Sequence, residues 1–149
     1  MVEALIRRND GYLDELEVYI RKELPPAECE FRHWFTPNMY VREMSAKAGF
    51  VLLSRIHLTE HPFTVAKGKL QVSIDKGDWV TLEAGFTGIT RAGTRRAGLV
   101  LEDCLFLTYH ALPGITGEEN DWPEEEKIKL IESIENHILE KYDNPLLIH

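Results

Sequence analysis

Between Phe31 and His110 the chain is broken into short strand-like runs by turn residues, and that spacing does most to narrow its fold. Runs with strand character lie near 39–44, 50–57, 63–67, 69–74, 78–83, 95–101 and 104–110. Turn signals separate them at Ala48-Gly49, Lys67-Gly68, Asp75-Lys76-Gly77-Asp78, Ala92-Gly93 and Glu102-Asp103. Many short strands joined by glycine turns predict a sandwich or barrel, not a layered α/β sheet.

An amphipathic helix is predicted at each end. Asn9-Asp10 can cap a helix with the face Tyr12, Leu16, Ile20 and Leu24, which Pro25-Pro26 ends. Asp14, Glu15, Glu17, Arg21 and Lys22 fill the other side, so the helix suits packing across a sheet edge. The second helix starts at Pro123, with Trp122 at its entry, and its first-turn Glu124, Glu125 and Glu126 complement the helix dipole. Ile128, Ile131, Ile134, Ile138 and Tyr142 repeat at helical spacing until Asn144-Pro145. The expected organisation is one domain over 1–149: a helix and Pro-Pro linker over 1–26, a β unit over 31–112 and a helix over 121–144.

Composition limits function. A chain of 149 residues can bury a core without staples, and 44% hydrophobic with 28% charged residues is ordinary for a soluble domain. A net charge of −8 argues against nucleic-acid binding, because Arg7-Arg8 and Arg95-Arg96 are pairs and not a basic face. Cys29 and Cys104 form no C-x-x-C pair, which points away from disulfide frameworks and thiolate zinc sites and towards a reducing compartment. No signal peptide and no membrane-length apolar run is evident, so a cytoplasmic location is expected.

His57 and His61 are the first candidates for chemistry. Residues four apart share a face on a helix or a strand, so both geometries let the two imidazoles meet one metal ion. On a helix, His57 to His61 would match the H-x-x-E-H signature of inverted zinc peptidases. The flanking residues favour a strand: Phe50 to Ile56 is continuously apolar, and Pro62 would interrupt a helix. His57 and His61 are then expected on one side of a sheet, with Glu60 on the other.

The stretch from Gly49 to Gly68 resembles the first cupin motif, a glycine before a strand bearing H-x-H, a carboxylate four residues on and a glycine seven further. Arg55 falls at the first histidine, His57 at the second, His61 at the carboxylate and Gly68 at the closing glycine. Residues 85–96 resemble the second motif, with Arg91 at its proline position and Arg96 at its histidine position. Residues 31–112 are similar to small cupin-like proteins of bacteriophages and prophages, through Thr36 to Glu43, His57 to His61, Ala92 to Gly98, Glu102-Asp103 and Thr108-Tyr109-His110. The resemblance implies a mainly β fold, a cupin-like double-stranded β barrel flanked by the two amphipathic helices, with a histidine-lined cavity.

Enzymatic cupins hold iron, manganese or nickel with histidines and a carboxylate, and this chain replaces two of those ligands with arginine, which cannot coordinate a cation. His110 is the candidate third ligand. A two-residue hairpin turn at Glu102-Asp103 sets it opposite Arg95, and a shift of one residue brings it to the face of Arg96. Three neutral imidazoles, His57, His61 and His110, with an open fourth position would suit zinc. Alternatively they line a polar interior with Arg55, Arg96, Thr59 and Cys104.

Arg55, Arg95 and Arg96 could hold a carboxylate or phosphate, which makes a small anionic ligand the other expected occupant. Tyr40 and Tyr109 are within reach of such a cavity, whereas His33, His137 and His149 look like packing or solvent residues. Two functions follow. One is a metal- or anion-binding barrel in a cytoplasmic protein. The other is a virion component or assembly factor, a scaffold that forms homo-oligomers or binds other viral proteins in the host cytoplasm or virion.

Overall fold

The computed structural model describes residues 13–73, 79–139 and 146–148. The Asn9-Asp10 cap, Tyr12, the turn at 75–78, Tyr142, Asn144-Pro145 and His149 lie outside them. Helix α1 (Leu13–Glu23) is followed by strands β1 (Glu30–Thr36), β2 (Met39–Ala46), β3 (Val51–Ser54), β4 (His61–Ser73), β5 (Trp79–Glu83), β6 (Thr87–Thr90) and β7 (Ala97–Ala111). A 3₁₀ turn (Glu118–Asp121), helix α2 (Glu124–Ile138) and strand β8 (Leu146–Ile148) complete the described elements.

Two long strands organise the sheet. Antiparallel β4 and β7 pair from Phe63↔Thr108 to Val72↔Gly98. The outer edge of β7 takes β2 along residues 104–111 and β3 along 97–99. The outer edge of β4 takes β6 at 61–64 and β5 at 69–73. One half of the sheet thus runs β1-β2-β7-β4-β6 and the other β8-β3-β7-β4-β5, with all pairs antiparallel. Leu52, Phe63, Val65, Leu70, Val72, Leu82 and Val100 from both halves share one apolar core.

The expected turn at Lys67-Gly68 is instead a bend inside β4. The register between β4 and β7 shifts at Val65/Lys67, Lys67/Lys69 and Lys69/Leu70. Such bulges curl a sheet without ending the strand. Gly68 has φ +84°, and a Cβ there would stand 2.1 Å from the Asp103 carbonyl oxygen. The Glu102-Asp103 hairpin is absent for the same reason: β7 continues through a bulge there, with Glu102 paired to Lys69. β1 and β6 are strands that the sequence pattern did not reveal.

Helix α1 lies on the outer face of the sheet and not across an edge. Leu16 and Ile20 are fully buried against Val51, Leu53 and Ala97. Each such side chain contributes about 1.5–3 kcal/mol through removal from water. Helix α2 buries Ile134 and Ile138, with Leu139, against Phe35, Tyr40 and Leu112. Ile128 is 48% exposed and Trp122 40%, so the first turn of the expected apolar face and its entry residue stand in solvent. No helix among the described residues is long and apolar enough to cross a membrane.

Candidate functional site

A cavity of about 140 Å³ opens between the two halves of the sheet. His57, His61, His110, Arg42, Arg96, Thr90 and Thr108 line its polar end. Leu52, Leu70, Val72, Leu82 and Phe106 line the rest, and Ile138 and Leu139 at the end of α2 also face it.

The three histidines meet, by a route other than the one expected. His57 and His61 do not share a strand: His57 lies in an irregular stretch after β3, bridged to Leu139, and His61 opens β4. Leu58 N donates to the Ile138 carbonyl at 2.7 Å, so the end of α2 fixes this stretch. The rings of His57 and His61 are still 5.1 Å apart between centroids. Glu60 is exposed, in the same irregular stretch and not on the other side of a sheet. His110 sits opposite Tyr40 of β2, two residues past the Phe63↔Thr108 pair, and this alternation puts it on the face of His61. Their ring centroids are 4.3 Å apart.

Burial keeps these imidazoles neutral. It pulls His57 down to about 3, helped by His61, Arg96, Arg42 and Arg55. It pulls His110 down to about 3 as well, with His61, Arg42 and His57 adding to the effect. Burial also lowers His61, although the Thr59 carbonyl, 3.0 Å from Nδ1, opposes it and Arg96 adds to it. That bond places the His61 proton on Nδ1 and leaves Nε2 bare. The Thr108 hydroxyl is 2.9 Å from Nε2 of His110.

Of the three expected arginines, only Arg96 lines the cavity, and its guanidinium lies 5.2 Å over the ring of Phe63. Arg95 points outward, donating to Glu17 of α1 at 2.6 Å and to the Ser54 carbonyl at 3.0 Å. Arg55 is buried beside Glu135 of α2, with Nη2 4.0 Å from the carboxylate. Arg42 was missed. It lines the cavity, stands 4.4 Å over Phe31 and is 3.7 Å from the other Glu135 oxygen. The signal for it was the period-two alternation of Tyr40, Arg42 and Met44 along β2.

Two further expectations resolve away from the cavity. Tyr109 donates to Thr64 at 3.2 Å, and Cys104 belongs to the apolar core. His33 has a specific partner: its Nδ1 is 2.7 Å from the Tyr40 hydroxyl. Burial raises Tyr40 and lowers His33 to about 4, so the hydroxyl donates to a neutral imidazole.

Four buried nitrogens stand out because they have no hydrogen-bond partner among the described residues: Nε of Arg42, Nε of Arg55, Nδ1 of His57 and Nδ1 of His110. They belong to one charged cluster, since Arg42 acts on both histidines and on Arg55, and Arg55 acts on His57. Glu135 serves both arginines from beyond hydrogen-bond range. Buried donors left unmade are costly, and three of the four belong to Arg42, His57 and His110, which line the cavity, so the cavity has room to supply an acceptor.

The same cluster suits a cation poorly. Among the described residues no group of three or more His, Cys, Asp or Glu side chains is placed to hold a metal ion. Arg55 occupies the position of the first motif histidine, and guanidinium groups beside the imidazoles repel positive charge.

No family model and no curated protein matches the chain. Solved structures do. A conserved double-stranded β-helix domain protein from Klebsiella pneumoniae is 20% identical, with a TM-score of 0.50 over 64% of this chain and 84% of its own. The cupin domain of an XRE family transcriptional regulator from Enterobacter cloacae is 16% identical, with a TM-score of 0.50 over 58% of this chain and 99% of its own. Ectoine synthase from P. lautus is 13% identical, with a TM-score of 0.52 over 73% of this chain and 80% of its own. The antiparallel strands wrapped around one cavity and these likenesses agree: the chain has the cupin, or double-stranded β-helix, fold.

Proposed function

We propose that this cupin-fold protein binds a small anion inside its barrel. The observation that carries the reading is the set of unpartnered buried nitrogens on Arg42, His57 and His110, all of them residues that line the cavity. Arginine Nε always donates, and a neutral imidazole donates from Nδ1 when Nε2 accepts, as the Thr108 hydroxyl allows at His110. Phe31 and Phe63 hold the planes of Arg42 and Arg96, so little side-chain entropy is lost when an anion arrives. The site needs no protonated histidine to be positive.

A divalent metal is the second reading, supported by the same two Nδ1 atoms. In the opposite tautomers they present lone pairs, and His57, His61 and His110 would be the ligands for zinc, iron, manganese or nickel. The phage or prophage origin and the virion-scaffold role, with its homo-oligomer or viral partners, rest on the resemblance over residues 31–112.

Amide NMR spectra of the protein titrated with formate, inorganic phosphate and benzoate, together with elemental analysis, test these readings. The anion reading expects saturable shifts at Thr90, Gly98 and Thr108 for at least one of the three, lost in Arg42→Gln. Stoichiometric metal that disappears in His57→Ala would establish the second reading in its place. A protein that takes up neither would leave the scaffold role.

A further inference from the structure

The geometry points to the class of the anion: an amphipathic monocarboxylate with an apolar body of about six carbons. The inference rests on the anion reading above and narrows it.

Charge is confined to one pole of the cavity. Among the described residues Arg42 and Arg96 are the only charged ones in the lining, and both act on the histidines at that pole. Arg42 and Arg55 share the single Glu135 carboxylate, which leaves one positive charge of that trio uncompensated. A planar carboxylate has about four lone-pair sites on two oxygens, enough for the bare nitrogens of Arg42, His57 and His110, which line the cavity. Its head fits between the guanidiniums and the Nδ1 atoms of His57 and His110, within the same low-dielectric cluster.

Among the described residues the opposite pole has no partner for a second charge. Leu52, Leu70, Val72, Leu82 and Phe106 form its walls, and no ionisable group lies among them. An ionised tail would lose water against these apolar walls, so a dicarboxylate is disfavoured by desolvation. Size sets the body. The cavity measures about 140 Å³, and an engineered apolar cavity of about 150 Å³ holds one benzene. Ile138 and Leu139 close over the ligand from α2, the helix that carries Glu135.

Isothermal titration calorimetry and thermal unfolding test the class with acetate, hexanoate and benzoate, the neutral alcohols hexan-1-ol and benzyl alcohol, adipate and inorganic phosphate. Hexanoate or benzoate is expected to bind and raise the unfolding midpoint. The alcohols and adipate are expected at least roughly tenfold weaker, because each leaves a charge or a donor set unpaired. Val72→Phe, which fills the apolar pole, should lose hexanoate and keep acetate. Phosphate or adipate binding as tightly as hexanoate would overturn the class and leave the anion reading standing. If none of the anions binds the wild-type protein, both fall. The wild-type panel decides this without any variant, and Arg42→Gln, checked for folding by circular dichroism, assigns the head.

Discussion

His61 and His110 hold their imidazoles 4.3 Å apart, centroid to centroid, on the neighbouring strands β4 and β7. Two imidazolium ions could not share that spacing in a buried site, and burial disfavours even one, so both rings are held neutral. His57, 5.1 Å from His61, is under the same constraint.

Acid should therefore weaken the fold through these rings. His57 and His110 titrate at about 3 when folded and near the ordinary histidine value when unfolded. Between those values the unfolded chain binds more protons, so stability rises with pH across that window and falls as pH drops through it. The loss should begin near pH 6.5 and level off near pH 3, where the folded rings also protonate. Urea unfolding at pH 7, 6, 5 and 4 is expected to give a steep slope for the wild-type protein. A His57→Gln, His110→Gln double variant should give a shallower one. Equal slopes would sink the assignment of acid sensitivity to this cluster.

Gly68 should tolerate no side chain. A Cβ would meet the Asp103 carbonyl oxygen at 2.1 Å, in a backbone conformation of φ +84° that L residues disfavour. Gly68→Ala should cost about 3 kcal/mol, from left-handed strain plus displacement of β7 backbone. Gly98→Ala is the control: its Cβ would find its nearest atom at 3.6 Å, an ordinary contact. Comparable midpoints for the two variants in chemical denaturation would contradict the close crossing of β4 and β7.

The Gly68 bend also explains what the sequence concealed. Lys67-Gly68 and Glu102-Asp103 look like turns because they are polar and exposed, yet they face each other where β4 and β7 bend together. Polar residues at a shared bulge and polar residues at a hairpin leave the same mark on a sequence. The helices were legible from apolar spacing, and the barrel from the density of short strands. His61 and His110 were legible as partners only by guessing a register, since cross-strand pairing leaves no local trace. Arg42 was hidden because a charged residue type carries no mark of burial, although its alternation with Tyr40 and Met44 puts it inside. Glu135 is equally silent, a charged residue on the rim of the α2 face between Ile131 and Ile138.

Arg95 and Arg96 are adjacent in sequence and face opposite sides of the barrel wall, so their substitution should separate two effects. Arg95 ties the sheet to α1 through Glu17 at 2.6 Å and caps the Ser54 carbonyl. Arg95→Gln should lower stability by about 1–2 kcal/mol, as expected for charge-assisted hydrogen bonds, and speed amide exchange along α1. The histidine titrations should stay in place. Arg96 instead faces the cavity, and its charge lowers His57 and His61. Removing it in Arg96→Gln takes away a repulsion against imidazolium, so both histidines should titrate at higher pH while α1 keeps its exchange protection. Side-chain NMR of the histidine Cε1–H signals and hydrogen exchange of the α1 amides read the two effects independently. If both variants move the same signals, the two arginines do not face opposite sides of the wall.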